Sequence, residues 1–430
     1  MGLFLGTGAT DRCTTLPSAR QQTITAGNRS LRGKRVAMVV LSGYPSDPRP
    51  QRAAAALANE GMSVDLVCLA DGKSRRRETH NGIDVLRLPI THRRGGKLSY
   101  LWEYSACILA SAAVLALRSL THRYDLVYIH NMPDTLVLSS LIPKALGAKV
   151  ILDMHDPMPE LMMTIFKRDE NSSSVRALRR LEKWSMACAD RVLTVNVACQ
   201  RIFAARSCAS EKIGVVMNSP DGEVFPFLPA RPLDPTRDTA NRPFVVMYHG
   251  SLLERNGVDL AVDALARIRE TVPAAQLRIY GASTPFLERV MQTVRERQLD
   301  GAVQHLGRKA LKDIVRAIEE CDVGVIPNHR NAFTEINTPT RIFEYLALGK
   351  PVIAPRTCGI QDYFDDGSLL FFEPGSSEDL AGRIAYAYSH PGDALRITER
   401  GQQVYLAHAW EREKETLVNL VDEVLQRRPR

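Results

Sequence analysis

Residues 337–355 read NTPTRIFEYLALGKPVIAP. Thr338 is a good N-cap and Pro339 suits a first helical position, so RIFEYLAL opens as a helix. Gly349 suits the place just past a helix, and Lys350-Pro351 ends it before the strand-like VIAP. The apolar run VGVIP (323–327) precedes it across the loop NHRNAFTEIN. The unit is therefore strand, loop, helix, strand, with the helix starting at the carboxyl edge of a parallel sheet. Free N–H groups at such a start form an anion site, and Asn337, Thr338 and Thr340 are the candidates there. Glu344 is the puzzle, because a carboxylate among Ile342, Phe343, Tyr345 and Leu346 costs stability unless something nearby needs it. It lies roughly 7–8 Å along at 1.5 Å per residue, an offset compatible with a diphosphate at the helix start and its ribose diol at the carboxylate. The competing reading is a surface glutamate paired with Arg341 or Lys350.

The same alternation extends outward. Apolar runs RVAMVVLS (35–42), SVDLVCLA (63–70), IDVLRLP (83–89), LVYIH (126–130), KVILDMH (149–155), RVLTVN (191–196) and IGVVMN (213–218) are separated by helical stretches such as Gln51–Glu60 and Asp134–Leu146. Continuous Val/Ile/Leu strands between helices predict a parallel sheet covered on both faces. The pattern stops at residues 221–243, DGEVFPFLPARPLDPTRDTANRP, the linker candidate. It resumes with FVVMYHG (244–250), QLRIYG (276–281), VQHLG (303–307), VGVIP and PVIAP. The expected fold is α/β, two Rossmann-like doubly wound domains facing a cleft, over 34–220 and 244–409. Residues 1–33 read as a flexible tail. The amphipathic stretch 410–428, with Leu417, Leu420, Val421 and Val424 in one stripe, is placed to pack back on the first domain.

Composition bounds the partners. The 430 residues are 45% hydrophobic and 24% charged, which excludes bulk disorder. A net charge of +8 favours anionic partners: nucleotide, phospholipid surface or nucleic acid. Nucleic acid is disfavoured because the basic residues are dispersed and no known module occurs. Eight scattered cysteines without a C-x-x-C pair suit a reducing cytoplasm. The first thirty residues make a poor signal peptide, and Gly6 stands where myristoylation wants Ser or Thr. The segment Leu98–Leu120 has transmembrane length but is interrupted by Glu103 and Arg118. A helix packed on a sheet is the plainer reading. A membrane-docking face, approached by His92-Arg93-Arg94 and Lys97, is the sharper one.

The stretch PTRIFEYLALGKPVIAP resembles the C-terminal signature of retaining glycosyltransferases of the GT-B fold, family 4 (group 1 type). VVLSGYPSDPRPQRAAAALANEGMSVDLVCL, YDLVYIHNMPD, KVILDMHDPMPE, VVMNSPDGEVF, YHGSLLERNGVDLAVDAL, GIQDYFDDGSLLFFEPG and Trp410 follow its other landmarks in order. The resemblance covers about Arg35 to Leu425. It implies that Glu344 is the second Glu of a Glu-x7-Glu motif and binds the ribose of a nucleotide-sugar donor. The first Glu is missing: position 336 is Ile, and the nearest carboxylate is Glu335. In GSLLERNG, Ser251 and Asn256 stand where many members carry Arg and Lys on the diphosphate. That leaves Arg255 as the expected phosphate cation, against a solvated loop arginine.

The resemblance puts His155 beside the donor sugar, and His130 ends the neighbouring strand, so both are catalytic candidates with Arg255. Gly43 and Gly250 are donor-side candidates, Gly43 because a glycine lets a diphosphate approach closely. Asp47, Arg49, Asp156 and Glu160 are acceptor-side candidates. No metal cluster is read, Asp365-Asp366 being turn chemistry, and no cofactor is expected beyond the nucleotide-sugar co-substrate. The implied activity is transfer of a sugar from a UDP- or GDP-sugar to an acceptor hydroxyl with retention, on a sugar or lipid-linked glycan, in cell-surface polysaccharide synthesis. The expected location is cytoplasmic, peripheral at the inner face of the cytoplasmic membrane. A nucleotide-sugar 2-epimerase and a non-catalytic nucleotide- or sugar-binding relative are the alternatives.

Overall fold

A computed structural model describes residues 31–70, 72, 74–90, 97–232 and 242–427. The strands of the first half are β1 (Arg35–Gly43), β2 (Ser63–Leu69), β3 (Arg77–His80), β4 (Ile83–Leu88), β5 (Leu126–His130), β6 (Lys149–Met154), β7 (Arg191–Thr194) and β8 (Ile213–Val215). They form one sheet in the order β3-β4-β2-β1-β5-β6-β7-β8. All neighbours are parallel except the hairpin β3–β4, which the sequence reading missed because RETH carries little apolar signal. The second half contributes β9 (Phe244–His249), β10 (Ala275–Tyr280), β11 (Val303–His305), β12 (Val323–Val325), β13 (Val352–Pro355) and β14 (Leu370–Phe372), ordered β11-β10-β9-β12-β13-β14.

In each sheet the first strand is central and the chain winds out one way, then returns to wind out the other. The crossover leaves a crevice beside β1 and another beside β9, where ligands bind in such sheets. His130 and His155 sit at or just past the carboxyl ends of β5 and β6, and Gly250 just past β9. The two halves therefore present their switch points to each other.

Four boundaries differ from expectation. Leu31 is 1% exposed and belongs to the first domain's core, so residues 31–33 are folded, while residues 1–30 lie outside the described ones. The linker candidate is anchored in its first half. Phe225 is buried in the second domain's core, the Leu228 amide donates to the Ala347 carbonyl at 2.7 Å, and the Ala230 amide donates to Gln402 Oε1 at 2.9 Å. Residues 233–241 lie outside the described ones. The stretch expected as a helix over 134–146 splits into a 3₁₀ run, Asp134–Ser140, and a short helix, Leu141–Ala145. The opening helix spans Thr340–Ala347, and Thr338 does not cap it: its hydroxyl donates to the Gly359 carbonyl at 2.6 Å.

The helix Trp410–Gln426 lies on the first domain, with Leu417, Val418, Leu420, Val421 and Val424 packed into the core that also holds Ala53 and Leu57. The helix Lys97–Thr121 packs on the opposite side of that sheet through Leu115, with Ile108 and Val114 beside it. By length and composition it could cross a membrane. The basic approach His92-Arg93-Arg94 lies outside the described residues, as does the Lys97 side chain.

Candidate active-site cleft

Between the two switch points lies a cavity of about 670 Å³. From the first domain it is lined by Asp47, Arg49, Arg52, His155 and Asp156. From the second come Gly250, Ser251 and Asn256, then Asn337, Thr338, Thr340, Arg341 and Glu344. Its volume and two-domain lining are those of a small-molecule site.

The first-domain wall rests on a buried ionic network. Asp47 caps the helix Pro48–Asn59, which carries Arg49 and Arg52 on successive turns. Arg49 forks onto Asp153 through Nε (3.1 Å) and Nη2 (2.6 Å), and its Nη1 donates to the Val216 carbonyl at 2.9 Å. Tyr128 donates its hydroxyl to Asp153 at 2.8 Å. Burial acts to raise the Asp153 carboxyl, but Arg49, His155 and His130 outweigh it and hold the group well below the usual carboxylate range. Arg49 is therefore a structural cation with its fork already occupied, which corrects its reading as an acceptor ligand.

His130 is fully buried and does not line the cavity, so it is no catalytic residue by position. It stands behind His155, with Nδ1 3.0 Å from His155 Nε2 and 3.5 Å from Asp153. Burial, then neighbouring His155, pushes it well below the ordinary imidazole value, so it is neutral. Asn131 fastens the adjoining chain, accepting from the His155 amide at 2.8 Å and donating to the Asp156 carbonyl at 2.9 Å.

His130, Asp153 and His155 place possible metal-ligating atoms within 4.8 Å of one another, a grouping the sequence reading did not find. The donor set is spent elsewhere: both Asp153 oxygens accept from Arg49, and one also from Tyr128. A guanidinium already supplies the positive charge there.

The second-domain wall turns on Glu344. Its side chain is 16% exposed and burial lifts its carboxyl to about 7, against the pull of Arg341 and Arg52. His249 Nε2 lies 3.2 Å from it without hydrogen-bond alignment, and burial followed by Arg341 pulls that imidazole down to about 3. Arg341 lies 4.6 Å over the Tyr248 ring and donates to the His249 carbonyl at 2.9 Å. It fits because position 250 is glycine: φ is +127°, and a Cβ there would sit 3.2 Å from Arg341 Nη1. Burial, then neighbouring Arg49, lowers the Arg52 guanidinium to about 10. Arg341 and Arg52 are the cavity's cations that the sequence reading passed over. The signal for Arg341 was its place one turn before Glu344.

Three other candidates move. Arg255 does not line this cavity. It lies 5.7 Å over the Phe333 ring and lines a neighbouring cavity of about 800 Å³ with Lys167, Arg168, His329 and Arg330. It still acts on the cleft through Asp156, whose carboxyl is raised by burial while His155 and Arg255 pull it down. Glu160 is buried, with both oxygens on Arg206 at 2.6 and 2.9 Å, so it has no acceptor role by position. Gly43 ends β1 behind the wall, and its carbonyl accepts from Ser46 Oγ at 2.8 Å.

Ile336 occupies the place of the missing motif carboxylate. It is 8% exposed and packs into the first domain's core cluster with Met154 and Ala198. Its carbonyl accepts from Asn196 Nδ2 at 2.9 Å, and the same amide donates to Thr338 Oγ1 at 3.1 Å. Glu335 is engaged by Arg330 at 2.7 Å. The isoleucine is thus part of the contact between domains, joined by the Arg201–Asp362 fork at 2.7 and 2.8 Å. Ile336→Glu is expected to weaken that contact by burying an unpaired charge, not to restore a sugar ligand. A lowered unfolding temperature and slower turnover will report it. An unchanged melt with faster turnover would contradict it.

Two parallel-sheet domains closing on a shared cleft define the GT-B architecture. Solved structures share it. Sucrose-phosphate synthase from Thermosynechococcus elongatus aligns with a TM-score of 0.73 at 19% identity, over 91% of this chain and 98% of that one. HepE of Anabaena in complex with UDP aligns with a TM-score of 0.66 at 17% identity, over 91% and 100%. Residues 47–219 match the family described as "Glycosyl transferase 4-like domain", and residues 234–404 match "Glycosyl transferases group 1". The chain belongs to the group 1 glycosyltransferases. Glycogen synthase from Mycobacterium tuberculosis is 23% identical over 230 residues, 53% of this chain and 52% of that protein. A glycosyltransferase of Escherichia coli named for colanic acid biosynthesis, WcaL, is 24% identical over 180 residues, 41% and 42%. The chain spans about half the length of the curated relatives it matches.

Proposed function

We propose that this protein transfers a sugar, with retention, from a UDP- or GDP-sugar to an acceptor hydroxyl. The observation that carries the reading is the facing pair in one cavity: Glu344 with Arg341 on the second domain, His155 on the first. Glu344 takes the ribose diol. The start of the helix Thr340–Ala347 with Arg341 takes the diphosphate, supported by Arg52. His155 borders the donor sugar. These groups provide fixed positive charge where the leaving phosphate develops its negative charge, so we assign the reaction no metal. In a front-face displacement the sugar–phosphate bond breaks as the acceptor oxygen bonds to the same face. The departing phosphate oxygen takes the acceptor proton. Closure of the cleft excludes the water that would hydrolyse the donor.

The acceptor enters from the neighbouring cavity beyond Arg255 and Asp156, which makes Arg255 an acceptor-side residue rather than a phosphate ligand. We propose a lipid-linked glycan in surface polysaccharide synthesis, at the inner face of the cytoplasmic membrane. The name of WcaL supports the role in polysaccharide synthesis, and the UDP bound to HepE supports the nucleotide-sugar donor.

A thermal-shift screen of UDP- and GDP-sugars tests the donor, followed by turnover against lipid extracts. Arg341→Ala is expected to raise the donor KM about 10- to 100-fold, the worth of a charge-assisted hydrogen bond. A donor KM unchanged in Arg341→Ala would remove the site assignment.

A further inference from the structure

We propose that the first domain docks flat on an anionic lipid bilayer through one helical face. Three segments build it on one side of the sheet: the helix Lys97–Thr121, the run Asp134–Ala145 and the helix Ser173–Cys188. This supplies the membrane partner of the lipid-linked acceptor just proposed, but stands on residues remote from the cleft.

The first helix is inverted relative to a soluble surface helix. Its inward stripe carries Glu103, Cys107, Ser111, Leu115 and Ser119, all buried. Its outward stripe is Trp102, Leu109, Ala113, Leu117 and Leu120, without one charge. Four of these are 75%, 69%, 67% and 78% exposed (Trp102, Leu109, Leu117, Leu120). The stripe runs about 27 Å at 1.5 Å per residue. A surface helix of a soluble domain shows polar residues there, and an apolar patch of this length marks an interaction surface. Leu141 and Ile142 extend it on the adjacent short helix.

Charge chooses the occupant. The three segments contain one carboxylate each, Glu103, Asp134 and Glu182, and all three are buried. The outward side of Ser173–Cys188 instead shows Arg176, Arg180 and Lys183 beside Leu181 and Trp184. An apolar face edged with basic residues and tryptophan is the pattern of a helix lying in a membrane interface. A second copy of the chain suits the face poorly, because self-pairing would bury these cations and the three segments offer no exposed carboxylate to meet them. The helix lies on the bilayer rather than across it, since its inner stripe is packed in the domain core.

Flotation of the full chain with vesicles tests this, using phosphatidylcholine alone and with about one third phosphatidylglycerol. The wild type is expected to float with the anionic vesicles. Leu109→Glu/Leu117→Glu, at exposed positions, is expected to lose about tenfold or more in partitioning with an unchanged melt. Arg180→Glu/Lys183→Glu is expected to lose about tenfold of the preference for phosphatidylglycerol. Two of the three tryptophans lie on the face, and the third, Trp410, lies under Arg52, so tryptophan emission should shift to the blue on binding. A wild type that stays in the soluble fraction overturns the proposal, as do variants that float equally well. A dimer that Leu109→Glu/Leu117→Glu dissociates overturns it in favour of a second copy. None of these outcomes touches nucleotide binding, which tests the cleft separately.

Discussion

Replacing Arg49 with methionine is expected to destabilise the first domain by about 3–5 kcal/mol, the cost of stranding one member of a buried ion pair. Methionine keeps the length and the packing but removes the fork on Asp153. Asp153 would remain with the Tyr128 hydroxyl and two histidines, one of them neutral. Urea denaturation measures the loss, and Arg49→Met/Asp153→Asn is expected to recover most of it by removing the stranded charge. The pH dependence follows from the sign of the shift. The folded-state pKa of Asp153 is depressed in the wild type, so its contribution is present above the unfolded value and fades as pH falls. In the variant burial is opposed only by the two histidines, so Asp153 protonates more readily and the gap between the proteins narrows toward acid. Equal stability of wild type and Arg49→Met near pH 7 would contradict the network.

Glu344→Gln is expected to move stability and binding in opposite directions. The Glu344 carboxyl titrates near 7 in the fold against an ordinary 4.5, so the folded state holds its proton more tightly than the unfolded one. Stability then falls as pH rises between those values, and above the upper one the penalty is at most about 3 kcal/mol. Glutamine carries no such penalty, so the variant should melt higher than the wild type above neutrality and similarly in acid. Its nucleotide affinity should drop, because an amide offers one acceptor oxygen to a diol where a carboxylate offers two. In the wild type, nucleotide affinity should weaken as pH falls below about 7 and the carboxylate is lost. Calorimetry of UDP and GDP binding across pH, beside melting curves, reads both. A variant that melts lower and binds equally would mean that Glu344 is a structural residue.

The fold was legible because its strands are continuous apolar runs between helices, a signal that survives without any knowledge of contacts. What failed was short or polar. RETH has no apolar periodicity, yet it pairs along β4 as an edge hairpin. Residue type and place in an element sufficed to put His155 and Glu344 at the cleft, whose wall both of them line. Contacts with a partner distant in sequence were not legible. Arg49 looked free until Asp153, more than a hundred residues on, took its fork, and Glu160 until Arg206 did the same. Arg341 was read only as a counter-ion for Glu344, because the sequence does not show that the chain at Gly250 passes beside it and leaves it room.

The two places where the chain passes between domains have a mechanical meaning. Val216 packs in the first core and Met217 in the second; Ala409 packs against the second and Trp410 against the first. Each passage thus occurs within one peptide link, and the Met217 amide, donating to Glu413 at 2.7 Å, binds the two passages together. A single strand would be a swivel with several rotational freedoms. Two strands side by side act as a door hinge with one axis, so the cleft can gape and shut while the facing walls keep their alignment.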